Sequence, residues 1–375
     1  MGCEVTIDDI CSSVCSGGTP QKSNSEYYEN GNIPWLNTKE ISFNRIRKTK
    51  QFITEAGLRQ SSAKWVRANS VVVAMYGATA GKVAITKIPL TTNQACCNLE
   101  VDKEVADYRY IYYWFQNQYS RVLNLANGGA QQNLNAKTIK AMEIKLPNLA
   151  LQQRIANCLS AIDDEIELNI ELNGYLEKLV SLEFSRRFKA STPTIELGKV
   201  LSISTESIKP QEHAGEIWEH YSIPAYDENR QPLFELSDGI KSNKYAIDAN
   251  CILISKLNPA TKRIWMPSCT SEHSVCSTEF IVYKPKNPRY KSFYYAAIDS
   301  QAFTDFLIAH VTGSTGSRQR TQPKATLTYP MPNPGHDAIE GFCAFADPIY
   351  KQIQSNKLES KWLVSLRDAL LPKLM

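Results

Sequence analysis

One segment of the 375-residue sequence combines glycines and a lysine in the manner of a phosphate-binding loop. In Gly77-Ala-Thr-Ala-Gly81-Lys82-Val83, however, three residues rather than four separate the glycines, and valine stands where such a loop needs a hydroxyl for magnesium. The segment lies between two runs of β-branched residues. We therefore expect a glycine-rich turn between strands that exposes Tyr76, Thr79 and Lys82 and binds no nucleotide.

A second segment has spacing that suggests metal ligands. Cys269, His273 and Cys276 follow the pattern Cys-x3-His-x2-Cys, but a structural zinc needs a fourth ligand and the sequence has no paired Cys-x2-Cys nearby. We therefore expect no metal here. The sequence has ten cysteines, and its start, Met1-Gly-Cys-Glu4, lacks a basic segment followed by an apolar one. Without an export signal we expect reduced, mostly buried thiols and a cytoplasmic location.

The other reactive residue types do not assemble a catalytic set. Five histidines are scattered along the sequence, and no Gly-x-Gly-x-x-Gly fingerprint follows a predicted strand. Asn258-Pro-Ala260 is the segment nearest to an Asn-Pro-Pro-aromatic motif and lacks the pocket residues. The acids Asp163-Asp-Glu165 lie in a predicted helix, where they are typical of a solvated face. We predict a binding protein rather than an enzyme, with no metal or cofactor on this chain.

Basic residues are concentrated in a few stretches, although 42 lysines and arginines against 38 acids give a net charge of only +4. Lys and Arg neutralise phosphates, while Arg, Asn, Gln, Ser and Thr hydrogen-bond to base edges in the major groove. This concentration, without a catalytic set, favours DNA as the partner. The candidate DNA-binding residues are Asn37, Thr38, Lys39, Arg45, Arg47, Lys48, Tyr76, Thr79, Lys82, Gln131, Lys256, Lys262, Arg263, Arg318 and Arg320.

The second half of the sequence repeats the first. Ala68-Asn69 precedes a run of β-branched residues, and Ala249-Asn250 does the same. Each half has short β-branched runs separated by Gly, Pro and Asn, and one helical stretch rich in aromatic residues, at 108–125 and at 290–310. A repeat with a period of half the chain predicts two similar strand-rich domains.

A long helix is predicted to end each half. Residues 151–188 contain no proline, and their apolar residues recur with a seven-residue period. The C-terminal segment has the same period, although Pro348 predicts a kink or a separate first segment. Asn169 and Asn356 each lie within the apolar stripe of their helix, where a polar residue fixes the register. We expect the helices to pack antiparallel, with both asparagines near the crossing of the helix midpoints.

These elements predict an α+β fold in which two similar strand-rich domains are joined by two long antiparallel helices that form a coiled coil, with a pseudo-two-fold internal repeat. The predicted strand-rich domains are residues 1–147 and 192–334, and the predicted long-helix segments are residues 148–191 and 335–375.

Several segments resemble the specificity subunit of type I restriction–modification systems. They are Gly31-Asn-Ile-Pro-Trp-Leu-Asn-Thr-Lys-Glu-Ile41, Gly77-Ala-Thr-Ala-Gly-Lys-Val-Ala-Ile85, Thr92-Asn-Gln-Ala95, Gly128-Gly-Ala-Gln-Gln132, Ile144-Lys-Leu-Pro147 and Leu151-Gln-Gln-Arg-Ile155. The half-chain repeat is more diagnostic than any one of them. The second half departs from the pattern, since it lacks the Ile-Pro-Trp segment and has only Ser222-Ile-Pro224.

The resemblance implies two target-recognition domains that each read half of a split, asymmetric DNA sequence, with the helix pair setting the unread spacer. It implies two methyltransferase subunits that bind S-adenosylmethionine and methylate adenine, and restriction subunits that use ATP and magnesium for translocation and cleavage. The chain itself is then not catalytic. The residues alone leave two alternatives open: a stand-alone DNA-modifying enzyme, or a protein adaptor with duplicated binding domains that does not bind DNA.

Overall fold

The computed structural model describes residues 3–127, 134–188, 192–312 and 319–375. The chain forms a first unit of Met1–Ile166 with Trp362–Met375 and a second unit of Glu167–Lys361. Both divisions fall inside long helices, so each long helix contributes residues to both units. The predicted domain boundaries, which instead follow the ends of these helices, stay a prediction.

The first unit contains short strands and short helices ahead of one long helix. Its strands are β1 Cys3–Thr6, β2 Cys11–Ser16, β3 Ile33–Leu36, β4 Asn44–Ile46, β5 Gln51–Ile53, β6 Trp65–Val66, β7 Val71–Ala74, β8 Val83–Thr86, β9 Leu90–Thr92, β10 Cys96–Val101 and β11 Glu143–Leu146. Its helices are α1 Glu55–Arg59, α2 Tyr108–Asn117, α3 Tyr119–Asn127, α4 Ala136–Lys140 and α5 Leu149–Arg187, the last continuing into the second unit. Three-residue 3-10 helices lie at Asp8–Ile10, Ser25–Tyr27 and Thr38–Glu40.

Two sheets form the body of the first unit. One has the strand order β2-β10-β7-β8-β4 and the other β5-β3-β9-β6, while β1 pairs with β11. The Val-Val-Val-Ala sequence of β7 is wholly buried, as expected of a strand covered on both faces. Helix α2 packs against β7 and β8, and its residues from Tyr110 to Phe115 are all buried. The aromatic run of this helix therefore supplies much of the core.

The second unit has a similar set of elements. Its strands are β12 Thr194–Glu196, β13 Leu201–Ser204, β14 Ser207–Ile208, β15 Ile217–Tyr221, β16 Leu233–Leu236, β17 Lys244–Ala246, β18 Ile252–Ser255, β19 Ile264–Trp265, β20 Ser274–Ser277, β21 Phe280–Pro285, β22 Val311–Thr312, β23 Arg320–Thr321 and β24 Pro330–Pro332. Its helices are α6 Leu197–Val200, α7 Ile223–Asn229, α8 Lys291–Ile298, α9 Gln301–Ala309, α10 Pro323–Thr326 and α11 His336–Leu374, the last continuing into the first unit. Short 3-10 helices lie at Pro210–Glu212, Ser237–Gly239 and Pro288–Tyr290.

The two units repeat one topology. β12 pairs with β24 as β1 pairs with β11, and the order β13-β21-β18-β19 corresponds to β2-β10-β7-β8. A second sheet, β14-β17-β20-β15-β16, takes the place of β5-β3-β9-β6. Helices α8 and α9 follow β21 as α2 and α3 follow β10. The matches found in the sequence therefore reflect one arrangement of strands and helices used twice.

Each aromatic helical stretch is two helices rather than one. Gln118 separates α2 from α3, and two residues separate α8 from α9. In the second case the Ser300 hydroxyl accepts a hydrogen bond from the backbone N–H of Phe303 at 3.2 Å, which is an N-cap that starts a new helix. The expectation of single helices over 108–125 and 290–310 was wrong, because hydrophobic periodicity is insensitive to a break of one or two residues.

The two long helices have 39 residues each, about 58 Å at a rise of 1.5 Å per residue. Helix α11 continues through Pro348, so the predicted separate first segment is wrong. Proline removes one backbone hydrogen bond, but Ala346 and Tyr350 on either side are buried and anchor the adjoining turns. In the described part of the chain, every helix is too short or too polar to cross a membrane.

Polar pairs within each unit give the direction and register of the helix pair. In the first unit, Arg367 of α11 donates to Asp163 of α5 at 2.9 Å, and the Tyr113 hydroxyl donates to the other carboxylate oxygen at 2.6 Å. Asp163 is 8% exposed, so the expectation of a solvated face was wrong for this residue. In the second unit, Asn356 of α11 donates to Asn173 of α5 at 2.8 Å. Higher positions in α5 contact lower positions in α11, so the helices are antiparallel. The predicted α+β fold with a long antiparallel helix pair is confirmed.

The two asparagines singled out from the sequence are both buried in this seam, with 5% of Asn169 and 3% of Asn356 exposed. Their partners are different residues, since Asn169 donates to Glu359 at 3.1 Å and Asn356 bonds to Asn173. Matching positions of an internal repeat need not face each other across an antiparallel pair. Asn173 was therefore missed, although it lies one helical turn after Asn169.

We predict that Asn356→Leu lowers the free energy of unfolding by about 1–3 kcal/mol, because the buried side-chain oxygen of Asn173 then loses its hydrogen-bond donor. Replacing both residues by leucine removes both polar groups and should recover most of this loss. Urea unfolding of the full chain, with Asn173→Leu completing a double-mutant cycle, measures the coupling between the two side chains. Losses that simply add in the double variant would contradict the assignment.

Candidate nucleic-acid interface

The glycine-rich segment forms the turn between β7 and β8. Gly77 and Gly81 have φ angles of +86° and +78°, a region that residues with a side chain rarely adopt. Tyr76 is half-exposed, and the Lys82 amine donates a hydrogen bond to the Ser42 hydroxyl at 3.3 Å. The turn lies where the sequence predicts it, and its backbone conformation explains both glycines.

This turn brings three loops of the first unit together. The Tyr76 hydroxyl donates to the carbonyl oxygen of Gln94 at 3.3 Å, and the Thr79 hydroxyl donates to that of Thr38 at 2.8 Å. The loops after β3, β7 and β9 therefore meet on one side of the unit. The candidates located on this loop cluster are Asn37, Thr38, Lys39, Tyr76, Thr79 and Lys82.

The corresponding loops of the second unit also converge. The backbone N–H of Lys256, just after β18, donates to the carbonyl of Glu279, and the N–H of Thr321 donates to the carbonyl of Lys256. The side chain of Arg320 forms an ion pair with Glu279 at 3.1 Å. In the first unit the loop after β7 therefore meets the loop before β10, and in the second unit the loop after β18 meets the loop before β21. Both loop clusters contain predicted DNA-binding residues.

Two candidate arginines are neutralised inside the fold. The Arg45 side chain is only 6% exposed and forms an ion pair with Asp164 of α5. Arg263 is 12% exposed, and its Nε and Nη2 atoms donate to the two carboxylate oxygens of Asp227 at 2.6 and 2.8 Å. These bonds raise the pKa of Arg263. A DNA phosphate would have to displace these carboxylates, so DNA binding by either arginine stays a prediction that requires this exchange.

Two further candidates are paired but remain reachable from solvent. Lys262 is 39% exposed and contacts Asp299 at 2.6 Å, and Arg320 is 44% exposed beside Glu279. Burial raises the pKa of Asp299, and the neighbouring Lys262 ammonium opposes this shift. For these residues DNA binding stays a prediction, in which a phosphate would exchange with a carboxylate.

The remaining candidates differ in what their side chains do. The side-chain oxygen of Asn37 accepts from the backbone N–H of Lys39 at 3.1 Å, so it caps the short helix, and Thr38 is buried. Lys39, Arg47 and Lys48 are exposed, and Lys256 is half-buried. Gln131 and Arg318 lie outside the described residues. Lys39, Arg47 and Lys48 therefore hold charge at the surface of the first unit.

A cleft of about 490 Å³ opens beside the loop cluster of the first unit. The sequence pointed to only two of the residues around it, Asn37 and Lys39. Trp35 and Glu40 lie with them in the segment 31–41, whereas no motif connects this segment to Lys22, Tyr28, Lys50 and Gln51. The lining residues are Lys22, Tyr28, Trp35, Asn37, Lys39, Glu40, Lys50 and Gln51.

The Cys269–Cys276 segment has a structural role. The His273 ring stacks on Trp218 with 5.0 Å between centroids, and its Nε2 atom lies 3.5 Å from the Glu216 carboxylate. Burial raises the pKa of the Cys269 thiol to about 12 and raises that of Cys276 further. Thiols with such a raised pKa are protonated at neutral pH. Among the described residues, no three His, Cys, Asp or Glu side chains form a metal-binding group.

Comparison with known proteins finds similarity to one family over part of the chain. Residues 3–178 match the family model of the type I restriction modification DNA specificity domain. The chain is 32% identical over 152 residues to the type I restriction enzyme EcoR124I/EcoR124II specificity subunit of Escherichia coli, covering 39% of this chain and 37% of that one. It is 34% identical over 187 residues to the type I restriction enzyme MjaIX specificity subunit of Methanocaldococcus jannaschii, covering 48% and 42%. These alignments span about two fifths of the length of each relative.

The fold has a solved counterpart over its whole length. The crystal structure of the type I restriction-modification system S subunit from M. genitalium superposes with a TM-score of 0.59 at 18% identity, covering 100% of this chain and 96% of that one. At this identity the likeness concerns the fold, and the match to the DNA specificity domain is limited to residues 3–178. The resemblance drawn from the sequence is confirmed: residues 3–178 match the type I restriction modification DNA specificity domain, and the chain has the fold of the M. genitalium S subunit.

Proposed function

We propose that this chain is the DNA-recognition subunit of a type I restriction–modification complex, and that each unit reads one half of a split, asymmetric target. The observation that carries the proposal is the duplication of one topology with a converging loop cluster in each copy. Two related readers with different loop sequences suit a target whose two halves differ. The specificity domain matched in residues 3–178 supports the same reading.

Recognition of this kind is additive. Phosphate contacts supply affinity without sequence information, and each well-read base pair adds about 1–3 kcal/mol of discrimination. Joining two weak readers in one chain raises the effective concentration of the second once the first is bound. Because α5 and α11 both pass from one unit into the other, we propose that the helix pair sets the number of unread base pairs between the half-sites.

Catalysis is then the work of partner subunits. We propose two methyltransferase subunits, which hold S-adenosylmethionine and transfer its methyl group to adenine, and restriction subunits that use ATP and magnesium. We assign no residue of this chain to these groups. The complex would act in the cytoplasm, on the DNA of the cell.

An exposed apolar stripe on α5 supports the docking of a partner helix. The stripe lies in the second unit and consists of Leu168, Leu172, Tyr175, Leu179 and Leu182, each between 44% and 63% exposed. Its spacing of four and three residues alternately is that of a coiled-coil seam. The face of α5 that packs on α11 is a different one, marked by the buried Asn169, Asn173 and Val180. We propose that a helix of a methyltransferase subunit covers the stripe.

Lengthening both long helices tests the spacing role and the function together. We predict that inserting four residues after Ile166 and four after Lys361 adds about 6 Å of helix, which equals one or two base pairs of duplex. Methylome sequencing of cells that express the variant with its methyltransferase partner should show the same half-sites with a spacer longer by that amount. A four-residue insertion in the exposed turn at Gly215 is the control and should leave the spacer unchanged.

An unchanged spacer in the helix variant would refute the proposal that the helix pair sets the spacer. Methylation by the purified chain alone would instead support a stand-alone enzyme, and failure to retain DNA even at low ionic strength would support a protein adaptor.

We predict that Leu172→Glu with Leu179→Glu weakens association with the methyltransferase subunit at least about tenfold, because two charges replace apolar side chains in the docked seam. Ile170→Glu is the matched control, since Ile170 is 65% exposed on the same helix but points away from the stripe. Co-purification and sedimentation of the complex measure the effect. Equal loss in the control, or no loss in the double variant, would exclude the stripe as the docking site.

A further inference from the structure

Three lysines from separate parts of the chain line the cleft of the first unit. Lys22 lies on the loop after β2, Lys39 on the short 3-10 helix after β3, and Lys50 just before β5. All three are exposed, and none has a carboxylate within 4 Å in the described part of the chain. Among the predicted cations, by contrast, Arg45, Lys262, Arg263 and Arg320 each have an internal carboxylate partner. The cleft is therefore lined by three lysines that form no ion pair within the described part of the chain.

The single carboxylate in the cleft organises the lysines instead of neutralising them. One oxygen of Glu40 accepts from the backbone N–H of Asn37 at 3.3 Å, and the other accepts from the backbone N–H of Lys50 at 2.9 Å. The first bond is part of the capping box that forms the helix bearing Lys39. Glu40 thus ties together the backbone at two of the three lysines.

An aromatic pair, Trp35 and Tyr28, anchors the loop that precedes the third lysine, Lys22. The Trp35 indole N–H donates to the carbonyl oxygen of Gly18 at 2.9 Å, and the Tyr28 hydroxyl donates to that of Pro20 at 2.6 Å. The two rings meet edge to face with 6.2 Å between centroids. These bonds fix the loop that leads to Lys22. Gly18 is required there, since a Cβ would lie 2.2 Å from the backbone nitrogen of Ala63.

We infer that this cleft is a phosphate clamp, in which Lys22, Lys39 and Lys50 bind the backbone of the DNA half-site read by the first unit. The inference rests on the proposed function and specifies where the sequence-independent part of its affinity arises. Three ammonium groups, on backbone segments held by the hydrogen bonds of Glu40, Trp35 and Tyr28, can bind the closely spaced phosphates of a DNA strand. The neutral amide of Gln51, which is exposed in the same cleft, adds a group able to hydrogen-bond without charge.

The test is the salt dependence of DNA binding by the full chain. The probe is a mixed-sequence DNA duplex, with affinity measured by fluorescence anisotropy between about 50 and 200 mM salt. Each phosphate contact contributes about 0.9 to the slope of log affinity against log salt, so the variant Lys22→Gln/Lys39→Gln/Lys50→Gln should lose about 2 to 3 from that slope. The charge-keeping variant Lys22→Arg/Lys39→Arg/Lys50→Arg should retain it.

A control of equal charge change uses exposed lysines of the same unit outside the cleft. Lys103→Gln/Lys137→Gln/Lys145→Gln should keep the slope of the unchanged chain. An equal loss of slope in this control and in the cleft variant, or no loss in either, overturns the clamp and leaves the proposed function standing. If the unchanged chain does not bind DNA at low salt, the proposed function fails and the clamp with it. Because the substituted side chains are exposed, thermal unfolding should be the same for all four proteins.

Discussion

Burial of polar groups in the seam between the two long helices is the constraint on which the fold depends. Moving a charged group out of water costs several kcal/mol, so Asp163 and Arg367 can be buried only where they meet, with Tyr113 completing the hydrogen bonds. An apolar seam would tolerate a shift by one heptad, whereas a shift here would separate these charges and also the Asn173–Asn356 pair. The polar pairs thus restrict the helices to one antiparallel register within each unit.

The basic residues fall into two groups, those paired with carboxylates inside the fold and those exposed to solvent. Arg45 and Arg263 use their bidentate or multiple donors on carboxylates of the same unit, where planar guanidinium groups bind best. The lysines around the cleft of the first unit keep their charge in solvent, where a flexible ammonium can follow a phosphate backbone. Cation type alone therefore does not identify a DNA contact, because the residue that looks best suited to a phosphate can already be bound within the protein.

Much of the fold was predictable because local and repeated sequence patterns determine it. The heptad spacing gave the long helices, and the Ala-Asn signals before β7 and β18 gave the duplication. The break at Ser300 and the continuity through Pro348 were not predictable, since a cap or an anchored turn outweighs periodicity there. The cleft could be foreseen only in part. Asn37 and Lys39 were candidates from the sequence, whereas Lys22 and Lys50 reach the cleft through contacts of Trp35, Tyr28 and Glu40 with distant segments.

The central claim is that each unit reads its own half of one DNA target. The most direct measurement is the methylated motif in cells expressing a chain whose β18–β19 loop, residues 256–263, is replaced by the loop of a relative, compared with the motif of the unchanged chain. The account predicts that the bases of one half-site change, while the other half-site and the spacer stay the same. A change of the bases in both half-sites, or a methylated motif that is continuous rather than split, would contradict it.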